Sequence, residues 1–210
     1  MRHKIIFATG NEGKMREVRM ILADLGLEVL SMKEAEAVCD VEENGKTFGE
    51  NAEIKARAVW EKARAVWNNE GHVVLADDSG LVVDYLNGEP GIYSARYLGE
   101  DTSYEIKNQV IIDRVAEAKE EERTARFVSA IAAVLPDGTV LHTEGVVEGV
   151  IAHKPAGNGG FGYDPIFYLP EYGMTSAEIP IEKKNEISHR GKALEAMKEK
   201  LRSLYGEENR

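Results

Sequence analysis

Cysteine, basic charge and long apolar runs are all in short supply in this sequence, and each shortage excludes something. The single cysteine, Cys39, cannot form a disulfide within the 210-residue chain, so a reducing, cytoplasmic setting is expected. Cys39 sits beside Asp40, Glu42 and Glu43, whose charges disfavour a thiolate, and it is read as a bystander. No stretch approaches the ~18 consecutive apolar residues of a membrane span. The early run Ile5-Ile6-Phe7-Ala8 is too short for a signal-peptide core, so no membrane association is expected. Lys and Arg number 26 against 37 Asp and Glu, giving a net charge of -11. Without a dense basic run the chain lacks the footprint of a protein that tracks a nucleic-acid polymer. A small anion is different, because a few cations, backbone N–H groups and a bound metal can hold it whatever the global charge.

What is present suffices for a packed core. Hydrophobic residues make up 43% of the chain, and its length favours one domain over residues 1–210. Strand and helix patterns alternate, which predicts an α/β layered fold. Lys4 to Thr9 reads as a strand. Lys14 to Leu25 has Met15, Val18, Leu22 and Leu25 on one helical face and ends at Gly26, with a second strand over Leu27 to Leu30. A long helix is expected from Phe48 to Asn68, with Trp60 and Trp67 on one face, as are Val59 and Val66. Val73 to Ala76 reads as a strand that enters Asp77-Asp78-Ser79-Gly80, with Leu81 to Val83 extended beyond it. A mostly solvated helix over Thr102 to Ala118 follows. Two strands, Arg123 to Val134 and Thr139 to Val147, flank the turn Pro136-Asp137-Gly138, so the sheet should be mixed. The last helix starts at Ser188 or Gly191 and runs to Leu204, after which no pattern is visible.

Four junctions carry residues suited to chemistry. Thr9, Gly10, Asn11, Glu12, Gly13 and Lys14 join the first strand to a helix, combining small residues, free helix-start N–H groups and one cation. That suits a phosphate, although a strand-to-helix turn capped by Asn11 explains it equally well, and the glycine spacing is not that of a Walker A loop. Asp77 and Asp78 are costly to bury unless they meet cations, which makes the pair a candidate for Mg²⁺. A regular strand would send them to opposite faces, so a shared site would need a bend at Gly80. Gly159-Gly-Phe-Gly-Tyr-Asp-Pro165 offers glycines for close backbone approach and aromatics to stack on or wall a base. Lys184 and Ser188-His189-Arg190 precede the last helix, with His189 and Arg190 able to donate hydrogen bonds.

Together these residues resemble the inosine/xanthosine triphosphate pyrophosphatase family. The likeness runs through Thr9–Lys14, Gly45-Lys-Thr-Phe-Gly-Glu-Asn-Ala52, Ala76-Asp-Asp-Ser-Gly-Leu81, Pro90-Gly-Ile-Tyr-Ser-Ala-Arg-Tyr97, the 159–165 block and Ser188-His-Arg-Gly-Lys-Ala193. The resemblance implies a two-lobed α/β fold with a long curved mixed sheet, an active-site cleft between the lobes, and a homodimer. It implies a purine nucleoside triphosphate substrate (ITP, dITP or XTP) cleaved between its α and β phosphates. By position it makes Thr9–Lys14 the triphosphate grip, Asp78 the general base and a Mg²⁺ ligand, and Glu43 the second carboxylate, with Asp77 and Glu50 as substitutes. Ser79, Phe161, Gly162, Tyr163, Asp164, Lys184, His189 and Arg190 would complete the substrate site. Lys14, Lys184 and Lys55 would neutralise phosphate charge. Donation from His189 and Arg190 would match the 6-keto oxygen of hypoxanthine or xanthine, where adenine presents a donor. Two other readings share these motifs: a pyrophosphatase for pyrimidine or modified nucleotides, and a non-catalytic nucleotide-binding regulator.

Overall fold

A computed structural model describes residues 4–67 and 72–205. It contains a mixed seven-stranded sheet flanked by five helices. In chain order the strands are β1 (Lys4–Phe7), β2 (Glu28–Ser31), β3 (Val73–Val83), β4 (Thr124–Val134), β5 (Val140–Ile151), β6 (Phe167–Leu169) and β7 (Met174–Thr175). The helices are α1 (Glu12–Leu22), α2 (Phe48–Val66), α3 (Tyr104–Arg114), α4 (Ile181–Ile187) and α5 (His189–Tyr205). The sheet order is β2-β1-β3-β4-β5-β6-β7. β1 pairs in parallel with both β2 and β3, whereas β5–β6 and β6–β7 are antiparallel.

The chain packs as two compact units, neither of them a continuous stretch. The first comprises Met1–Asp78, Ser129–Gly145 and Arg190–Arg210, and the second Ser79–Val128 and Val146–His189. Strand alternation organises the first unit. Ile5, Phe7, Val73 and Leu75 point to one face, where Met15, Val18 and Leu22 of α1 and Leu194, Met197 and Leu201 of α5 cover them. Ile6, Ala8, Val74 and Ala76 point to the other, covered by Ala52, Ala56, Val59, Trp60 and Ala63 of α2. Continuing the count, Asp77 belongs to the α1/α5 face and Asp78 to the α2 face. The second unit has its own core, in which Leu81, Val83, Ile111, Ile112, Phe127, Ile166 and Phe167 meet.

Helix starts follow local chemistry. The Asn11 side chain accepts from the Lys14 N–H at 3.0 Å, and the Thr47 hydroxyl from the Glu50 N–H at 3.1 Å, each satisfying an otherwise unpaired donor. Several sequence expectations are corrected. β3 runs unbroken through Asp77–Gly80, so no bend at Gly80 brings the two carboxylates together. α1 stops at Leu22, and a 3-10 turn over Ala23–Leu25 leads to Gly26 at φ 67. The expected end of α2 at Asn68 lies outside the described residues. Trp67 caps that helix, donating its indole N–H to the Ala35 carbonyl at 2.8 Å, while Val66 in the final turn is exposed. α3 is shorter than expected and partly buried, with Ile111 and Ile112 in the core. α4 went unrecognised because its seven residues are mostly charged. The chain beyond Leu204, where no pattern was visible, is described only as far as Tyr205.

Candidate active site

In the first unit the functional side chains gather on the two faces of β3. On one face Asp77 is wholly buried, yet both its oxygens meet cations. Lys14 Nζ lies 3.0 Å from Oδ1 and 2.9 Å from Oδ2. Nε and Nη2 of Arg190 each lie 3.2 Å from Oδ2. The third Arg190 nitrogen, Nη1, donates to Glu17 Oε2 at 2.5 Å. Burial would raise the Asp77 pKa, but Lys14, Arg190 and Lys55 outweigh it and hold the carboxyl well below the usual range. Burial lowers the Lys14 pKa; the attraction of Asp77 opposes this, while the neighbouring Arg190 and Lys55 add to it. Two acids thus clamp Arg190, and Asp77 ties α1 to α5 through charge-assisted bonds.

On the opposite face Asp78 has different company. Asn51 Nδ2 donates to its Oδ2 at 3.0 Å. Burial pushes the Asp78 carboxyl upward, the Asn51 hydrogen bond and Lys55 pull it down, and Glu43 pushes it up again, leaving a net rise. Glu43 is therefore close enough to repel it. Lys55 Nζ stands among these groups, 2.8 Å from Glu43 Oε1 and 3.1 Å from the Asp77 carbonyl. Glu50 is occupied differently: its Oε2 accepts from the Lys46 N–H at 2.6 Å as part of the start of α2. Thr9, Gly10 and the N-cap Asn11 form the loop that leads into α1, whose first residues are Glu12, Gly13 and Lys14, with the Asn11 N–H donating to Thr9 Oγ1 at 3.1 Å. Gly10, Asn11 and Glu12 are exposed.

In the second unit Asp164 is the organiser. Its Oδ2 accepts from the Phe161 N–H at 2.8 Å and from Lys184 Nζ at 2.7 Å, and its Oδ1 accepts from the Ser176 hydroxyl at 2.9 Å. The Lys184 ammonium also lies 5.2 Å from the centre of the Phe161 ring, in reach of a cation–π attraction. Gly160, at φ 71, must be glycine here, since a Cβ would fall 2.1 Å from Asp164 Oδ2. The Tyr163 hydroxyl donates to the Ser94 carbonyl at 2.8 Å, and Asn108 Nδ2 donates to the Gly162 carbonyl at 3.1 Å. The His189 ring stacks on Phe127 at 4.7 Å. Phe161, Gly162, Tyr104, Pro155 and Pro165 line an open cavity of ≈ 660 Å³. Ser79 is half-buried.

The structure thus brings Lys14, Asp77 and Arg190 together, sets Lys55 against Glu43 and the Asp77 carbonyl with Asp78 nearby, and gathers Phe161, Asp164 and Lys184 in the second unit. Asp77 and Asp78 do not share a face. Sequence reasoning missed Glu17, Asn51, Ser176 and Asn108. Glu17 lies one turn beyond Lys14, and Asn51 one turn before Lys55, so helical spacing from each lysine was the available signal. Among the described residues no three His, Cys, Asp or Glu side chains cluster as an all-protein metal cage, and no helix is long and apolar enough to cross a membrane.

The model of the Ham1 family matches residues 5–200. A dITP/XTP pyrophosphatase of Clostridium perfringens is 45% identical over 201 residues, covering 96% of this chain and 98% of that protein. One from Desulforamulus reducens is 46% identical over 202 residues, covering 96% and 97%. The structure of a HAM1 protein from Coxiella burnetii superposes with a TM-score of 0.84 at 38% identity, covering 96% of this chain and 99% of that one. The Staphylococcus aureus Ham1 protein gives 0.81 at 40% identity, covering 95% and 98%. With a family model spanning nearly its whole length and relatives of this identity, the chain belongs to the Ham1 family.

Proposed function

We propose that this chain hydrolyses deaminated purine nucleoside triphosphates (ITP, dITP and XTP) to the monophosphate and pyrophosphate, clearing them from the cytoplasmic nucleotide pool. The names borne by its relatives support the substrate class. The observation that carries the chemistry is the division of labour on β3: Asp77 is neutralised by Lys14 and Arg190, while Asp78, with its raised pKa, stands with Glu43 and Lys55.

The residues of the first unit take the phosphates. The exposed start of α1 offers backbone N–H groups, and Lys14 supplies a cation one turn into that helix. Arg190 acts at this end through Asp77, keeping that carboxylate compensated when Lys14 turns to the triphosphate. Asp78 and Glu43 suit Mg²⁺, a hard cation that takes one or two carboxylates together with substrate phosphate oxygens. The Lys55 ammonium already placed against Glu43 marks that position as one that attracts a cation. When bound, Mg²⁺ would neutralise phosphate charge and acidify a coordinated water. Asp78 takes the proton from the water that attacks the α-phosphorus, a role that suits a carboxylate set beside the cation site. The α–β bond breaks, and pyrophosphate leaves with its charge met by Lys14 and Lys55.

The residues of the second unit take the base. Phe161 to Asp164 form its wall, stiffened by Lys184 and Ser176 through Asp164. Donors directed at a 6-keto oxygen would reject adenine, whose amino group leaves them unpaired. Of the two donors the sequence offers for this role, Arg190 is engaged by Asp77 and Glu17, which leaves His189. A homodimer accompanies this reading, supported by the exposed apolar side chains of Tyr93, Leu98 and Ile106 and checked by sedimentation. The test of the function is initial-rate measurement with ITP, XTP, ATP, GTP and dTTP, with Mg²⁺ and with EDTA. Preference for ITP and XTP that vanishes in EDTA supports the reading. Equal rates on dTTP would favour a broader nucleotide pyrophosphatase, and no turnover a binding protein.

A further inference from the structure

Asn51 is the buried polar group on α2 that the chemistry above leaves unused. It is wholly buried, and both ends of its amide are engaged. Its Oδ1 accepts from the Gly45 N–H at 2.8 Å, and its Nδ2 donates to Asp78 Oδ2 at 3.0 Å. The amide is suited to this because it carries an acceptor and a donor on one short, stiff group, so it can join an N–H to a carboxylate. One end grips the segment that bears Glu43, two residues before Gly45, and the other grips Asp78 itself. The contact leaves no slack: a Cβ on Gly45 would lie 2.7 Å from Asn51 Oδ1 and 2.7 Å from Glu50 Cβ. Lys55, one turn further along the same helix face, holds Glu43 directly at 2.8 Å.

We propose that Asn51 is a positioning residue for the divalent-cation site, a strut between the Glu43 segment and Asp78 that holds both carboxylates ready for one cation. The inference rests on the metal reading given under the proposed function. Groups that orient metal ligands from behind typically change metal affinity or activity by 10–100-fold when altered, and Asn51 stands in that relation to both acids. Asn51→Asp keeps an acceptor for Gly45 but replaces the donor to Asp78 with a second carboxylate oxygen. Gly45→Ala disturbs the same strut from its other end without touching Asp78.

The experiment is Mn²⁺ binding to the intact protein, followed by electron paramagnetic resonance of the free ion, alongside kcat and KM for ITP. For each variant the Mn²⁺ dissociation constant is expected to rise, and kcat to fall, by about 10–100-fold. KM for ITP should stay within about threefold, because triphosphate contacts made by Lys14 are untouched. If Asn51→Asp does not fold, Gly45→Ala decides. Folded variants that bind Mn²⁺ and turn over like the wild type, differing only in Tm, would overturn the inference alone. A wild type that binds no Mn²⁺ would overturn the metal reading, and this inference with it.

Discussion

Asp77 and Asp78 are neighbours in sequence and opposites in surroundings, because a strand sends successive side chains to opposite faces. Asp77 enters a face where α1 and α5 supply Lys14 and Arg190, and its charge is compensated several times over. Asp78 enters the face covered by α2, which supplies an amide, and it shares its neighbourhood with a second acid, Glu43. The first carboxylate is built to stay ionised and hold helices. The second is pushed upward by burial and by Glu43, only partly offset by Asn51 and Lys55, which suits a base beside a cation site. Paired carboxylates in a sequence therefore need not act as a pair.

The contrast can be broken one side at a time. Asp78→Asn should lower kcat for ITP about 10²–10⁴-fold, the range for loss of a general base, while Tm stays level or rises as a buried charge disappears. Initial rates and thermal denaturation read both quantities together. Asp77→Asn should do the reverse, costing about 3–5 kcal/mol of stability because Arg190 and Lys14 lose a buried partner, as measured by urea unfolding. Lys14→Ala should raise KM about 10–100-fold for every triphosphate, since a charge-assisted bond contributes roughly 1.5–3 kcal/mol. An effect confined to one base would separate Lys14 from the phosphates. The smallest effect is in the pH dependence of stability. An unfolded Asp titrates near ~3.9. The depressed Asp77 contributes stability that is full above that value and lost as pH falls through its lower folded pKa. The raised Asp78 works the other way: its contribution is full below that value and lost as pH rises through its higher folded pKa. Asp77→Asn should flatten the acid side of the metal-free stability curve, and Asp78→Asn should remove the decline above it.

Much of this was legible in the sequence. The apolar periodicities of α1, α2 and α5 and the hairpin turn at Pro136-Asp137-Gly138 are local signals, and the elements appear within a few residues of where periodicity puts them. The parity of β3 was legible too: Val73, Leu75 and Asp77 on one count, Val74, Ala76 and Asp78 on the other. A shared site for the two acids would need a bend that Gly80 permits, and β3 runs on without one. What sequence could not show were partners made by long-range closure. Arg190 reaches Asp77 across 113 positions and Glu17 across 173, and no local pattern encodes either meeting. Asn51 is a subtler case, an amide in the first turns of a helix whose buried destination depends on which face the sheet covers.

The most direct test of the central claim is ³¹P NMR of the products formed from ITP in Mg²⁺ and water enriched in ¹⁸O. Attack on the α-phosphorus predicts inosine monophosphate and pyrophosphate, with the isotope in the monophosphate. Orthophosphate, or isotope in the pyrophosphate alone, would contradict it.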